Sequence, residues 1–251
     1  MRRILPIAVV LSLTMLVWWT QVGPFTREQV GNRTLLALPP VARLIGSSGE
    51  QLACQDSSSL PRTENRVTSF DGAYVNQIAL SSEGNRQCGV ASAAMFLATI
   101  GQLPPSYEAI AKKANELWQN YSNPTYVSRV AQMLSDSGLK VDAACLAGDD
   151  AWDRLRAAID CGTPGILVST RLTRSGSGHF LVAGGYRQEY GRREILAYDP
   201  YGYWQGPEDG YLVNADTPDS RLGEAVVYNF DEVWGYGSKN CAGGYLLTIR
   251  P

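Results

Sequence analysis

The chain is poor in the residues that many binding chemistries need. It has one histidine, His179, in 251 residues. A site built on several imidazoles is therefore excluded, and any acid–base step that needs a ring has one place to find it. The five cysteines, Cys54, Cys88, Cys145, Cys161 and Cys241, form no Cys-x-x-Cys pair. With a single histidine this leaves no zinc-type ligand set, and neither a metal nor a cofactor is expected. The 22 lysines and arginines are scattered singly or in pairs, and the formal net charge is -2. The basic stripe of a nucleic-acid binder is missing, so no nucleic-acid partner is expected. No internal repeat is visible, and nothing in the chain could bind ATP. Hydrophobic residues reach 45% and charged residues 18%, which excludes a wholly disordered, collagenous or coiled-coil chain and suffices for a real core. The length fits one domain plus extras, or two small ones.

The amino terminus carries a different pattern. Arg2 and Arg3 precede a stretch from Ile4 to Thr26 without a charge, dense in apolar residues up to Trp19. A charged start and an apolar run are two of the three parts of a signal peptide; the small-residue cleavage site is not evident. An uncleaved anchor is the other reading, since the uncharged span would just cross about 30 Å of hydrocarbon. Residues 1–23 are therefore expected to be a signal peptide or membrane anchor, and residues 24–66, with Pro39-Pro40 and the Gly46–Gly49 loop, a stem or pro-region. The expected location is extracellular or anchored on the outer face of the cytoplasmic membrane.

Export agrees with the cysteine count. An odd number leaves one thiol over, and the chemistry below points to Cys88 as the free one. Four remaining cysteines allow three pairings. Cys145 with Cys161 closes the shortest loop, around one predicted helix, leaving Cys54 to pair with Cys241.

From Val67 to Pro251 the pattern tightens into one α+β domain. Gly89–Ile100 is small and apolar throughout and predicts a buried helix ended by Gly101. Ser106 predicts the cap of a second helix to about Trp118, and Thr125 that of a third to Leu134. A fourth begins at Asp149 or Asp150 and stops at Gly162. The texture then turns to short strands: Gly165–Ser169, His179–Tyr186, Glu194–Tyr198, Ala225–Phe230 and Gly244–Ile249. Helices first and an antiparallel sheet second is an α+β layout with the two halves facing each other.

Three residues stand where chemistry could use them. Cys88 lies where polar loop becomes buried helix, so free backbone N–H groups and the helix dipole would stabilise its thiolate. Read alone, it is as readily a small apolar filler at a helix start. His179 opens a strand after the Ser175–Gly178 loop, where a ring could act as base and then acid; read alone, it could be a surface or capping residue. Asp199 ends the following strand. An antiparallel return through Gly191 would bring its carboxylate beside the ring to orient it, although an Asp-Pro turn would explain it too. Asn229 and Asp231 are the next candidates for an orienting group.

The surrounding motifs carry a resemblance. Gln87-Cys88-Gly89-Val90-Ala91-Ser92 resembles the Cys-Gly-Pro-x-Ser helix of the cysteine peptidase domains that remove double-glycine leaders from bacteriocins, and of their secreted relatives. Gly178-His179-Phe180-Leu181-Val182-Ala183-Gly184-Gly185-Tyr186 is similar to that family's histidine strand, and Leu196-Ala197-Tyr198-Asp199-Pro200 to its closing strand. The likeness runs from about Val67 to Arg250. It implies a papain-like fold with Cys88 as nucleophile, His179 as base and Asp199 as orienting carboxylate. It also implies hydrolysis of peptide bonds in a peptide or protein substrate through an acyl-enzyme. Two features depart from the pattern: Val90 stands in the usual proline position, and Ser82 falls where papain-like enzymes carry the oxyanion glutamine. Gln77, Asn85 and Gln87 are the candidates for that donor, and Gln77, closing the extended Tyr74–Gln77 segment, is preferred.

Other readings share these residues. An amide-transferring, transglutaminase-like enzyme would use the same Cys-His-Asp set with an amine in place of water. A non-catalytic peptide-binding domain could keep the same fold. Ser177 lies between glycines but adjoins the only histidine in one loop, a poor geometry for a serine hydrolase. Tyr201, Tyr203, Trp204, Trp234 and Tyr236 sit in loops that could wall an aromatic cleft.

Overall fold

The computed structural model describes residues 64–67, 70–173, 178–235, 241 and 243–250. The elements in chain order are β1 (Glu64–Arg66), α1 (Cys88–Thr99), α2 (Tyr107–Asn120), α3 (Val127–Asp136), β2 (Val141–Leu146), α4 (Gly148–Asp160), β3 (Gly165–Ser169), β4 (His179–Glu189), β5 (Arg192–Tyr198), β6 (Gly202–Trp204), β7 (Tyr211–Val213), β8 (Val226–Asn229), α5 (Phe230–Val233) and β9 (Gly244–Ile249). Two short 3-10 turns, Gln77–Ala79 and Gly84–Arg86, lead into α1.

Helix α1 is the centre of the helical half. All twelve of its residues are buried, because its small and apolar residues run all round the helix rather than along one stripe. It packs on α2 and α3 on one side and on β4 on the other. Helices α2 and α3 carry one apolar stripe each: Ile110, Ala114 and Leu117, and Val130, Met133 and Leu134. Ser106 caps α2 by accepting a hydrogen bond from the Ala109 N–H, as its position predicts. The third helix differs. It starts at Val127 behind Tyr126, which makes no side-chain cap, so Thr125 does not serve as the N-cap.

The sheet order is β2-β9-β3-β4-β5-β8, antiparallel at every pairing. The eleven-residue β4 is its hub: β5 runs along one edge, while β3 and β1 share the other end to end. Strands β4 and β5 are joined by a tight turn in which Tyr190 and Gly191 both take positive φ, 48° and 79°, the geometry of a two-residue hairpin whose twist matches its strands. Beyond β5 the chain makes a separate two-stranded hairpin, β6–β7, with Tyr203 opposite Leu212 and Trp204 opposite Tyr211. A helical half packed on an antiparallel sheet is the expected α+β, papain-like layout. The sequence reading misses β2, β1 and the β6–β7 hairpin.

The missed β2 also decides the disulfide. Strand β2 pairs with β9 so that Cys145 faces Tyr245, only four residues beyond Cys241, and Cys145 bonds to Cys241 with a Cα–Cα distance of 5.6 Å. The expected Cys145–Cys161 bridge is thereby corrected: strand pairing, not the shortest loop, selects the partner. Cys161 is itself disulfide-bonded. Cys54 lies outside the described residues, and Cys241 is not available to it.

The expected membrane association is corrected as well. Among the described residues no helix is long and apolar enough to cross a membrane. The segment 1–23, to which the anchor was assigned, lies outside the described residues, as does nearly all of the 24–66 stem.

Candidate functional site at Cys88, His179 and Asp199

Cys88 is the first residue of α1 and follows Gln87, whose backbone is non-helical and whose side chain makes no cap bond. The N–H groups of the first turn have no intrahelical acceptor and point toward the thiol end of the helix. Gly89 permits this helix start to lie tight on the chain ahead of α3, since a Cβ there would sit 2.9 Å from the Pro124 carbonyl and 3.0 Å from Val130 Cγ2. Cys88 is the free cysteine among the described residues, and it is 8% exposed.

His179 is the first residue of β4, paired with Ser169 of β3. Tyr198 pairs with Val182. Asp199, one residue beyond, thus falls on the same sheet face as His179 and diagonal to it, within reach of its side chain. The contact is made: His179 Nε2 and Asp199 Oδ1 are 2.8 Å apart, and both residues are buried. The ring's other nitrogen, Nδ1, is left for Cys88, which lies within hydrogen-bonding reach of the ring.

Asp199 is held on every side. Its Oδ1 also accepts from the Tyr201 N–H at 3.1 Å. Its Oδ2 accepts from the Tyr211 hydroxyl at 2.8 Å and the Tyr228 hydroxyl at 3.1 Å. Its own N–H donates to the Gly223 carbonyl at 2.9 Å, and its carbonyl accepts from the Tyr74 hydroxyl at 3.1 Å. Only a glycine allows this clasp, because a Cβ on Gly223 would lie 1.9 Å from the Asp199 carbonyl oxygen.

The electrostatics follow from this packing. Burial alone would pull the His179 pKa down. The charge and hydrogen bond of Asp199, with a smaller contribution from Cys88, more than offset burial and hold the ring up to about 10. The ring is therefore a cation at neutral pH, with Asp199 on one nitrogen and the Cys88 sulfur at the other. Tyr211 and Tyr228 are also held well above their ordinary value, first through burial and then through the charge of Asp199. Both stay protonated and able to donate.

Gln77 lies in the turn that approaches this group. Its N–H donates to the Pro200 carbonyl at 2.9 Å, which ties the turn to the residue after Asp199. Its side-chain Nε2 donates to the Gly84 carbonyl at 2.8 Å, in the turn just ahead of Cys88, and its Oε1 is buried without a partner. Gln87, directly before Cys88, is fully buried, and its Nε2 also lacks a partner. Asn229 and Asp231 are engaged elsewhere: Asn229 caps α5, and Asp231 pairs with Arg193.

The aromatic residues divide. The ring of Tyr201 stands edge-on to His179 with centroids 6.1 Å apart, and that of Tyr211 likewise at 5.7 Å. Trp204 packs on Tyr228. Tyr203 points outward, and Trp234 stacks on Phe230 rather than on the site. Tyr236 and Ser177 lie outside the described residues. Tyr211, Tyr228 and Tyr74 escaped the sequence reading. Tyr74 and Tyr228 lie on segments that the sequence does predict, Tyr74–Gln77 and Ala225–Phe230, but nothing in the pattern aims either hydroxyl at Asp199; Tyr211 lies on a three-residue strand too short for alternation to show.

A free cysteine at a buried helix start, facing a histidine–carboxylate pair on an antiparallel sheet, defines the papain-like class of α+β domain. Within that class, the Peptidase_C39 like family model matches residues 71–215, and the chain belongs to that family. No curated protein matches the chain.

Membership corrects the expected function. The match is to a family described by its likeness to peptidases, which is a statement of descent and fold rather than of hydrolysis. The sulfur chemistry that the domain displays is a structural bridge, Cys145–Cys241. The assignment of a cysteine peptidase acting on a peptide or protein substrate is therefore replaced by that of a disulfide-stabilised domain of the Peptidase_C39 like family. Cys88 takes no part in that bridge and remains a thiol.

Proposed function

We propose that this domain binds an extended polypeptide segment without cleaving it, at a site whose polar set is Cys88, His179, Asp199 and Gln77. The observation that carries this reading is unspent hydrogen-bonding capacity beside a saturated ion pair. Asp199 has both carboxylate oxygens occupied. Unpaired polar atoms lie on the segments that carry this set: the first-turn N–H groups of α1, and the buried Gln87 Nε2 and Gln77 Oε1. A peptide group offers a carbonyl and an N–H, which is the complement of that set. A ligand carbonyl that accepts from a first-turn N–H group contributes about 0.5–1.5 kcal/mol net. The test is retention of the protein on an array of N-acetylated decapeptides, followed by mass analysis of the retained peptides. Equal retention by the wild type and Cys88→Ser, with peptides intact, agrees with binding. Peptides cut by the wild type and left whole by Cys88→Ser would overturn it.

A second reading is favoured by one observation, the free thiol beside a cationic ring. In amide transfer the Cys88 sulfur attacks an amide carbonyl, and the leaving amine departs with a proton from His179. An acceptor amine then attacks the thioester and returns its proton to the ring. Gln77 and the Cys88 N–H are the donors for the oxyanion formed in each step. Cys88-dependent incorporation of a dansylated primary amine into a glutamine-rich protein would select this reading over binding alone.

A further inference from the structure

We propose that Tyr211 and Tyr228 are positioning residues, which fix the plane of the Asp199 carboxylate so that one oxygen faces His179 while the other is held by the two hydroxyls. The inference rests on the site reading above, but it concerns residues from other parts of the fold. Asp199 directly follows β5, Tyr211 opens β7 and Tyr228 lies on β8. Both hydroxyls converge on the same oxygen, at 2.8 and 3.1 Å.

A carboxylate at a strand end can turn about its last side-chain torsion, which is broad rather than locked. Two donors on one oxygen and the Tyr201 N–H on the other define its plane. Tyr228 is itself fixed, because its hydroxyl accepts from the Trp204 N–H at 2.9 Å. Tyr211 is fixed by packing its ring edge-on to Tyr201 at 5.0 Å and to His179 at 5.7 Å. The clamp therefore joins the β6–β7 hairpin, which is not part of the main sheet, to the histidine that opens β4. The charged or titratable groups facing the ring are Asp199 just beyond β5, Cys88 from α1, Tyr201 from the turn after Asp199 and Tyr211 from β7.

The chain's only histidine makes the experiment direct: the imidazole is titrated by NMR in the folded protein. In Tyr211→Phe the ring stays and the hydroxyl goes, the carboxylate is freed to turn, and the His179 titration is expected to move down by about one pH unit, the equivalent of roughly 1.4 kcal/mol. Tyr228→Phe should move it the same way. Tyr201→Phe serves as the control and should leave it unmoved, because Tyr201 acts on Asp199 through its backbone. An upward shift in Tyr211→Phe would overturn the proposal, since a carboxylate that loses a donor but keeps its orientation presents more charge to the ring. So would an unchanged titration, or an equal shift in Tyr201→Phe. The readout needs neither a peptide ligand nor turnover, so it stands or falls apart from the binding reading.

Discussion

Replacing Asp199 by Asn removes the charge opposite His179 and keeps the shape. The ring is buried and its partner has no exposed surface, so the variant leaves a ring that burial disfavours as a cation. Uncoupling a buried pair in this way costs about 3–5 kcal/mol. The cost must depend on pH, and its sign is set by the direction of the His179 shift. In the native protein the ring is held up to about 10, above the roughly 6.5 of an unfolded histidine. Its contribution to stability is therefore complete below about pH 6.5 and is lost as the pH rises through about 10, at up to about 1.4 kcal/mol per pH unit. Urea unfolding of both proteins at several pH values measures this. The stability gap between wild type and Asp199→Asn should be widest near about pH 6 and should narrow by a few kcal/mol toward about pH 10. A gap that stays constant, or widens with pH, would refute the raised ring and with it the charge assignment of the whole site.

Three further outcomes are expected. Iodoacetamide should label Cys88 and leave the disulfide partners untouched; peptide mapping reads this, and label found on Cys145 or Cys241 instead would refute the bridge. Opening Cys145–Cys241 by the double change to serine, across a sequence separation of 96, should lower the unfolding free energy by about 4 kcal/mol, measured by urea titration. Gly223→Ala places a Cβ where the Asp199 carbonyl stands; it should cost about 1–3 kcal/mol and drop the His179 titration toward about 6.5, and an unmoved titration would show that the clasp does not hold Asp199.

Much of the site was legible because its parts sit at element boundaries. The change from polar loop to unbroken apolar run marks the start of α1 and therefore Cys88. A glycine loop followed by an apolar strand marks His179, and the Asp-Pro pair marks the end of β5. The β4–β5 hairpin could be drawn from Gly191 alone. The Val141–Leu146 strand was not legible: it is half buried, with Asp142 and Ala143 in place of the bulky residues that betray an edge strand. Missing it also cost the disulfide, because only the β2–β9 register brings Cys145 to Cys241. The β6–β7 hairpin failed for a related reason. Its strands are three residues each, too short for alternation to register, so Tyr211 gave no sign of reaching back to Asp199.

The complete burial of α1 limits where this protein can vary. A helix with no solvent face has no position at which a side chain can change without altering core volume, and Cys88 is the first residue of that helix. A substitution that adds or removes a methylene along α1 is thus also a displacement of the sulfur. The segment from Tyr201 to Leu222 is the reverse case. It touches the site through Tyr201 and Tyr211 on its inner side, while Tyr203, Leu212, Val213 and Leu222 face water. Ligand preference in relatives of this chain should therefore drift through that segment, while α1 stays nearly fixed.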